Sequence, residues 1–415
     1  NVAVGFNSAG GLTTGSYNVA VGTNSLLATT TADANTAIGN GALQSNTTGA
    51  DNTAIGNAAL DANTTASNNT AVGKDSLGAN TTGVGNSAVG KNSLAANTTG
   101  TVNAALGNSS LASNTTGASN TGIGYNALNA NTTADNNTAI GSNALLSNTT
   151  GAQNTVVGSL AADALTEGNY SSAFGVGALS ADTLGSKSTA LGYATLQNQN
   201  FTTATDSFNV AVGYEAGNAI TTTGADNVAL GAFSLFANTT ASFNTSIGSS
   251  AMEANTTGAY NTALGAGAFI SNTTGDFNVA IGPFTLDAAT TADSNTGVGY
   301  AVLTSNTTGA NNTGLGRDAL AANTTGADNT AIGHDSLDAN TTGDQNTAVG
   351  ALSLDANTTG SFNTAIGRAS LFSNTTANHN IAVGYNSLLS NTTGANNIAM
   401  GSLALDANTT TSDNT

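Results

Sequence analysis

The chain has 415 residues, of which only 7% are charged, and it carries a net charge of −18 and no cysteine. Five lysines and arginines against 23 acidic residues argue against nucleic-acid binding, which depends on cationic contacts to phosphates. The lack of cysteine excludes disulfides and thiol chemistry, and no apolar run is long enough to cross a membrane as a helix.

A 17-residue repeat runs from Asn1 to the end of the chain, and residues 35–51 are a representative copy. We count 24 copies and number the repeat positions 1 to 17 from the residue, usually asparagine, that opens each copy. Two copies differ in length, since residues 188–208 have four extra residues and residues 209–226 have one. Self-similarity at a short fixed period is typical of a solenoid.

Within each repeat the pattern predicts strands and turns. The run Thr36, Ala37 and Ile38 is β-branched and extended, which predicts a strand at positions 2 to 4. Position 5 is glycine in all 24 copies, which indicates a positive φ or a very close backbone approach. Ala42 and Leu43 begin a second predicted strand, and the polar run 46–49 is a turn. The predicted fold is therefore all-β, an elongated parallel β-solenoid of the β-roll or β-helix type.

Stacking of the repeats places identical residues above one another. Asparagines at positions 1 and 12 are expected to form ladders of side-chain amides, as in cross-β stacks. Position 4 is always apolar, so we expect it to face the core, and position 3 to face outward. Because position 3 is nearly always Ala or Gly, we expect a second wall, either another chain or another sheet, to pack against it. The sequence therefore predicts self-association.

The regularity of the array varies along the chain. Residues 1–153 and 227–415 are predicted to be regular solenoid, and residues 154–226 to be degenerate repeats of the same solenoid. The degenerate stretch loses the Asn-Thr-Thr run and contains both length changes. It is interpreted either as a local bulge in the solenoid or as a loop that binds a ligand or bends the array.

The sequence predicts no catalytic, cofactor-binding or metal-binding residues, and it argues against an enzyme. His334 and His379 occupy different repeat positions, and neither has a serine or carboxylate at a fixed offset. The acidic residues, such as Asp61, Asp338 and Asp355, are interpreted as a solubilising surface, with divalent-cation binding as the alternative. The Asn-Thr-Thr sequons occur in 17 copies and are interpreted as a structural turn rather than as glycosylation sites.

The run Asn-Thr-Ala-Ile-Gly-Asn-Gly-Ala-Leu at residues 35–43 resembles the head repeats of trimeric autotransporter adhesins. Together with Asn-Thr-Thr-Gly, it also resembles repeats of phage tail fibres and of bacterial surface fibres that carry an endosialidase-type chaperone domain. The resemblance covers essentially the whole chain, least well in residues 154–226. It implies a left-handed β-roll, often trimeric, on an extracellular fibre.

The predicted function is the structural shaft of an extracellular fibre, either a cell-surface adhesin or a phage tail fibre. Its expected partners are further copies of itself, as a trimer or filament, and host or cell-surface glycans or proteins. The chain begins in register and stops mid-repeat, which is expected of a segment from a longer protein.

Two other functions remain open, a polymerised matrix filament and an ice-binding solenoid. Thr47 and Thr48 are adjacent, so their side chains point apart instead of forming the flat array expected of an ice-binding face.

Overall fold

The computed structural model describes residues 1–415, and its regular secondary structure consists only of β-strands. The fold is a parallel β-solenoid with 17-residue repeats, as the sequence predicts. The chain divides into two compact units, Asn1–Phe208 and Asn209–Thr415, and each unit contains twelve three-residue strands. We call each repeat of the solenoid a rung.

Unit 1 contains fourteen strands, of which β12 and β14 have two residues each. They are β1 Val2–Val4, β2 Val19–Val21, β3 Thr36–Ile38, β4 Thr53–Ile55, β5 Thr70–Val72, β6 Ser87–Val89, β7 Ala104–Leu106, β8 Thr121–Ile123, β9 Thr138–Ile140, β10 Thr155–Val157, β11 Ser172–Phe174, β12 Gly185–Ser186, β13 Thr189–Leu191 and β14 Thr205–Asp206.

Unit 2 contains twelve strands of three residues each. They are β15 Val210–Val212, β16 Val228–Leu230, β17 Thr245–Ile247, β18 Thr262–Leu264, β19 Val279–Ile281, β20 Thr296–Val298, β21 Thr313–Leu315, β22 Thr330–Ile332, β23 Thr347–Val349, β24 Thr364–Ile366, β25 Ile381–Val383 and β26 Ile398–Met400.

Successive rungs pair in parallel, and equivalent repeat positions lie opposite each other. In the pairing of β3 with β4, for example, Ala37 lies opposite Ala54. The same register holds at the far end of unit 2, where Ala382 of β25 lies opposite Ala399 of β26. Each repeat position therefore forms a column of equivalent side chains within each unit.

The prediction of a second strand that begins at Ala42 and Leu43 is wrong, because the structure has no strand there. Leu43 has φ +52° and Ala58, at position 7 of the next rung, has φ +54°, so this part of the rung follows a left-handed path instead of an extended one. Hydrogen bonds between rungs persist nevertheless, because Leu43 N–H donates to the Ala59 carbonyl at 3.0 Å. A left-handed conformation is costly for leucine, so the burial of this side chain and the surrounding hydrogen bonds must offset the strain.

Both reasons predicted for the glycine at position 5 are confirmed. Gly141 has φ +137°, and a Cβ atom at this residue would lie 2.5 Å from the carbonyl oxygen of Gly158 in the next rung. Consecutive backbones touch at this column, and no side chain can be placed between them.

The core of each rung is narrow and contains few large side chains. Ala37 at position 3 and Leu43 at position 9 are both fully buried. The asparagines at positions 1 and 12, such as Asn35 and Asn46, are also fully buried. Most rungs therefore bury a single large apolar side chain, and the remainder of their interior is filled by small residues and hydrogen-bonded amides.

The two asparagine columns bond in different ways. At position 12 the predicted amide ladder is present, since Asn63 Nδ2 donates to Asn46 Oδ1 at 2.9 Å. At position 1 the amide mainly bridges backbone groups: Asn35 Oδ1 accepts from the Asn52 N–H at 3.0 Å, and Asn35 Nδ2 donates to the Gly49 carbonyl at 2.9 Å. The position 1 side chain therefore connects the backbone of its own rung to that of the next.

The longest repeat, residues 188–208, carries its extra residues without interrupting the pairing of β11 with β13. Its extra residues allow β14 to pair in parallel with β12. Lys187 Nζ bonds Asp206 Oδ2 across this pair at 2.6 Å. Asp182 replaces asparagine at position 12, and burial raises the pKa of its carboxyl group, although hydrogen bonds from Gln199 and from backbone N–H groups oppose the shift.

Candidate interaction face

The strands expose a flat surface made of positions 2 and 4, which we call the outer strand face of each unit. Position 4 is apolar in every rung. In unit 1 this column consists of Val4, Val21, Ile38, Ile55, Val72, Val89, Leu106, Ile123, Ile140, Val157, Phe174 and Leu191. In unit 2 it consists of Val212, Leu230, Ile247, Leu264, Ile281, Val298, Leu315, Ile332, Val349, Ile366, Val383 and Met400.

The prediction that position 4 faces the core and position 3 faces outward is wrong. Ala37 is fully buried, whereas Ile38 is 38% exposed. The reason is visible at Gly122, a position 3 residue, where an added Cβ would lie only 2.6 Å from Ser110 Oγ and 3.3 Å from Leu111 Cγ. Because positions 8 and 9 already fill the interior opposite the strand, only a small side chain fits inward.

The outer strand face is large for an uncovered apolar surface. The more exposed members of its apolar column away from the first and last rungs range from 36% exposed at Ile332 to 49% at Leu106. With rungs ~4.8 Å apart and ~10 Å of strand per rung, twelve rungs present roughly 600 Å² in each unit. Because position 2 is mostly threonine, roughly half of this area is apolar, which is comparable to the largest apolar patches of ordinary monomers; such patches often mark interaction sites.

The columns before and after the strand, positions 17 and 6, carry the tyrosines and the cationic residues. All eight tyrosines occupy these two positions, and four of the five lysines and arginines, Lys74, Lys91, Arg317 and Arg368, occupy position 6. At position 17, Tyr260 stacks between two phenylalanines, with ring centroids 4.9 Å from Phe243 and 5.1 Å from Phe277. The outer strand face itself contains no charged residue.

Carboxylates gather at positions 7 and 10 in unit 2. Burial and the neighbouring carboxylates of Asp338 and Asp335 raise the pKa of Asp355 to about 6, with His334 opposing the shift. Burial, together with Asp335 and Asp318, also raises the pKa of Asp338. Asp335 itself lies near a cation, because its Oδ1 is 3.9 Å from Arg317 Nη2, and its other carboxylate oxygen lies 3.0 Å from His334 Nδ1.

We expect the substitution Asp355→Asn to stabilise unit 2 at neutral pH. The folded-state pKa of about 6 lies above the ordinary aspartate value of 3.8, so the folded chain binds this proton more tightly than the unfolded chain does. Stability is therefore greatest below pH ~4, falls as the pH rises towards ~6, and carries a constant penalty above that. Since Asp355 is only half-buried, solvent screening reduces the gain from Asp355→Asn to about 1 kcal/mol.

Urea unfolding at pH 4 and pH 7.5 measures this effect. The gain from Asp355→Asn should be present at pH 7.5 and absent at pH 4. Asp328→Asn, which removes an exposed carboxylate from the same unit, controls for the change in net charge. An equal gain from both variants, or a gain that persists at pH 4, would contradict the assignment.

The histidines lie apart and make different contacts. His334 lies beside the carboxylate of Asp335 and also contacts Arg317. His379 stacks on the ring of Phe362 with centroids 4.9 Å apart. No group of three or more His, Asp or Glu side chains is arranged to hold a metal ion.

The sequon asparagines are structural in all regular rungs. Asn63, for example, is fully buried and its Nδ2 donates both to Asn46 Oδ1 and to the Ala66 carbonyl. The amide nitrogen that a glycosyl transfer would require is therefore inside the protein. The neighbouring Thr64 hydroxyl donates to the Thr81 carbonyl of the next rung at 3.1 Å.

No protein-family model matches the chain, and no curated protein matches it. The structure contains no helix with the length and apolar character needed to cross a membrane.

Proposed function

We propose that the chain is the structural shaft of an extracellular fibre, at a cell surface or in a virion tail, and that copies of it associate through the outer strand face. The observation that carries the proposal is an apolar column that is unbroken through the twelve rungs of each unit and exposed to solvent. A strand position that faces water normally carries polar residues instead.

Magnitudes support the association of copies. Covering the exposed part of one position 4 side chain contributes roughly 1 kcal/mol, so twelve rungs contribute on the order of 10 kcal/mol per unit. Association costs an estimated 4–15 kcal/mol in lost freedom, so the apolar face of a unit is sufficient only when most rungs take part. An unbroken column, with no charged interruption, meets that requirement.

The composition around the face also supports the proposal. Interfaces between proteins are depleted in charged residues at their core, and they are enriched in tyrosine and arginine relative to the rest of the protein surface. The outer strand face is free of charge, and tyrosine and arginine are concentrated at position 6, next to it in the chain. The acids lie at other columns, such as positions 7 and 10, where they would keep the remaining surface soluble.

The test is the oligomeric state of a double variant, Leu315→Lys with Ile366→Lys, measured by light scattering coupled to size exclusion. Two cations in the outer strand face should shift the oligomer to monomer, because each would be buried without a partner. Thr325→Lys with Thr376→Lys adds the same charges to exposed position 14 residues of the same two repeats and should leave the oligomer intact. A monomeric parent chain, or equal behaviour of the two variants, would refute association through this face.

A second candidate function, ice binding, is favoured by one observation. The threonines at position 2 align in register on the outer strand face, as at Thr313, Thr330 and Thr347. This column is closer to the flat array expected of an ice-binding face than the adjacent Thr47 and Thr48 are. The side chains beside it at position 4 nevertheless differ in size, from valine to Phe174 and Met400. Thermal hysteresis that is lost in Thr330→Lys would support ice binding, and its absence from the parent chain would exclude it.

A further inference from the structure

An open cavity of about 370 Å³ lies in unit 1, among the degenerate repeats and outside the outer strand face. Its walls come from three consecutive rungs, at positions 6, 7, 10 and 11. Its volume falls at the small end of the range of about 300–1,000 Å³ that is usual for small-molecule sites.

The cavity exists because small residues replace the usual ones in its central rung. Gly177 occupies position 7, where asparagine is the most frequent residue, and Ser180 occupies position 10. A Cβ added to Gly177 would meet only Gln197 Nε2, at 3.7 Å, so the floor of the cavity is backbone with an amide group over it. Leu160 and Tyr193 form part of the wall in the rungs on either side.

The lining combines apolar surfaces with hydrogen-bonding groups. Val176 and Tyr193 are about half-exposed, at 50% and 52%, and offer an apolar wall that includes an aromatic ring. Asp163, Ser180 and Gln197 supply a carboxylate, a hydroxyl and an amide. Burial raises the pKa of the Asp163 carboxyl group, although hydrogen bonds from its own N–H and from that of Ala164 oppose the shift.

We propose that this cavity binds one ring of a neutral saccharide. The C–H face of a pyranose would pack against Tyr193 and Val176, and its hydroxyls would donate to the Asp163 carboxylate and exchange hydrogen bonds with Ser180 and Gln197. The site does not depend on self-association, because all of its lining residues belong to one unit of one chain.

The charge of the site selects against other ligands. No lysine or arginine lines the cavity, and a carboxylate does, so a phosphate or an acidic sugar would be repelled. The chain as a whole carries a charge of −18, which opposes anions further. A purely apolar ligand would displace water from the Asp163 carboxylate without supplying a hydrogen-bond donor in its place, which is costly.

The blocking variant is Gly177→Asn. Gly177 has φ +66°, a conformation that asparagine accepts, and Asn143 adopts φ +55° at position 7 two rungs earlier. The variant should therefore fold and fill the cavity. Gly41→Asn is its matched control, because Gly41 occupies the same repeat position in the same unit with φ +69° and lies outside the cavity.

Binding to the full chain is measured by saturation-transfer NMR and calorimetry with the methyl α-glycosides of glucose, galactose and mannose, with N-acetylglucosamine, and with N-acetylneuraminic acid as the anionic comparison. At least one neutral sugar should bind, and Gly177→Asn should weaken it at least tenfold while Gly41→Asn leaves it unchanged. Asp163→Asn should weaken it several-fold, whereas Asp61→Asn, at the same repeat position with the same pair of backbone hydrogen bonds, should not.

Three results would overturn the inference: no binding of any neutral sugar at millimolar concentration, equal binding by Gly177→Asn and the parent chain, or preference for the anionic sugar. The oligomeric state is recorded on the same samples. Sugar binding should survive in the double variant Leu315→Lys with Ile366→Lys, because the cavity lies outside the outer strand face. Failure of sugar binding and failure of self-association can therefore be told apart.

Discussion

Gly141→Ala is expected to destabilise its part of unit 1 by about 4 kcal/mol or more, among the largest effects of any single methyl group in the chain. The residue has φ +137°, which is unfavourable for alanine, and the new Cβ would lie 2.5 Å from the Gly158 carbonyl oxygen and 2.6 Å from its carbon. The two rungs would have to separate, and the hydrogen bonds between their strands would lengthen.

Gly85→Ala provides the matched control in the same unit. Gly85 also has a positive φ, +70°, but the nearest atom to an added Cβ is Val102 Cγ2 at 3.9 Å. This variant carries the conformational strain of about 1 kcal/mol without the clash. Hydrogen exchange followed by mass spectrometry measures the local opening free energy, from the amides of residues 137–170 for Gly141→Ala and of residues 69–102 for Gly85→Ala. Equal losses in the two variants would show that close approach of the rungs is not what requires glycine.

Asn340→Leu is expected to cost about 3 kcal/mol, although leucine has nearly the same shape as asparagine. Asn340 Nδ2 donates to Asn323 Oδ1 at 2.8 Å, and its Oδ1 accepts from Asn357 Nδ2 at 2.9 Å. The leucine would leave the buried Asn323 Oδ1 without its donor and would remove one of the two hydrogen bonds that Asn357 Nδ2 donates, and each loss is worth ~1–3 kcal/mol. Urea unfolding of the full chain, with hydrogen exchange in the rungs at 323–357, measures the loss.

The chain already contains a comparable break. Leu165 stands at position 12, and the Oδ1 of Asn148 in the rung before it has no hydrogen-bond partner. The fold therefore tolerates a leucine at position 12. Asn340→Leu should lower stability but remain folded.

Ala289→Asn tests the same ladder in the opposite direction. Ala289 is fully buried at position 12 between Asn272 and Asn306, and the Asn306 side chain donates only to the Gly309 carbonyl. An asparagine here would join the two ladder segments and should stabilise unit 2 by about 1–2 kcal/mol. If Asn340→Leu is neutral and Ala289→Asn brings no gain, the amide ladder contributes nothing to stability.

The period of the sequence was sufficient to predict the solenoid, its parallel register and the need for glycine at position 5. It was also sufficient for the position 12 ladder, because an asparagine repeated every 17 residues can meet only its own kind in the next rung. These predictions depend only on which residues stack above one another. A regular repeat determines this even when the path of the backbone within each rung is unknown.

The direction of the side chains could not be predicted in the same way. Ile38 at a repeated strand position has the composition of a core residue, yet it is exposed, because Leu43 and the position 8 residue fill the interior. The left-handed φ of Leu43 has no signal in sequence, since leucine normally avoids that region. The cavity beside Gly177 arises from three separate rungs, so no single repeat reveals it.

The polarity of the asparagine contacts has a consequence for how the chain is made. Each finished layer presents amide oxygens as acceptors, Asn35 Oδ1 for the Asn52 N–H and Asn46 Oδ1 for the Asn63 amide, and the donors belong to the segment synthesised next. A newly emerging segment thus meets a template already set by the one before it, with contacts only between nearest neighbours. Folding can follow translation or export residue by residue from the amino terminus, without waiting for distant parts of the chain.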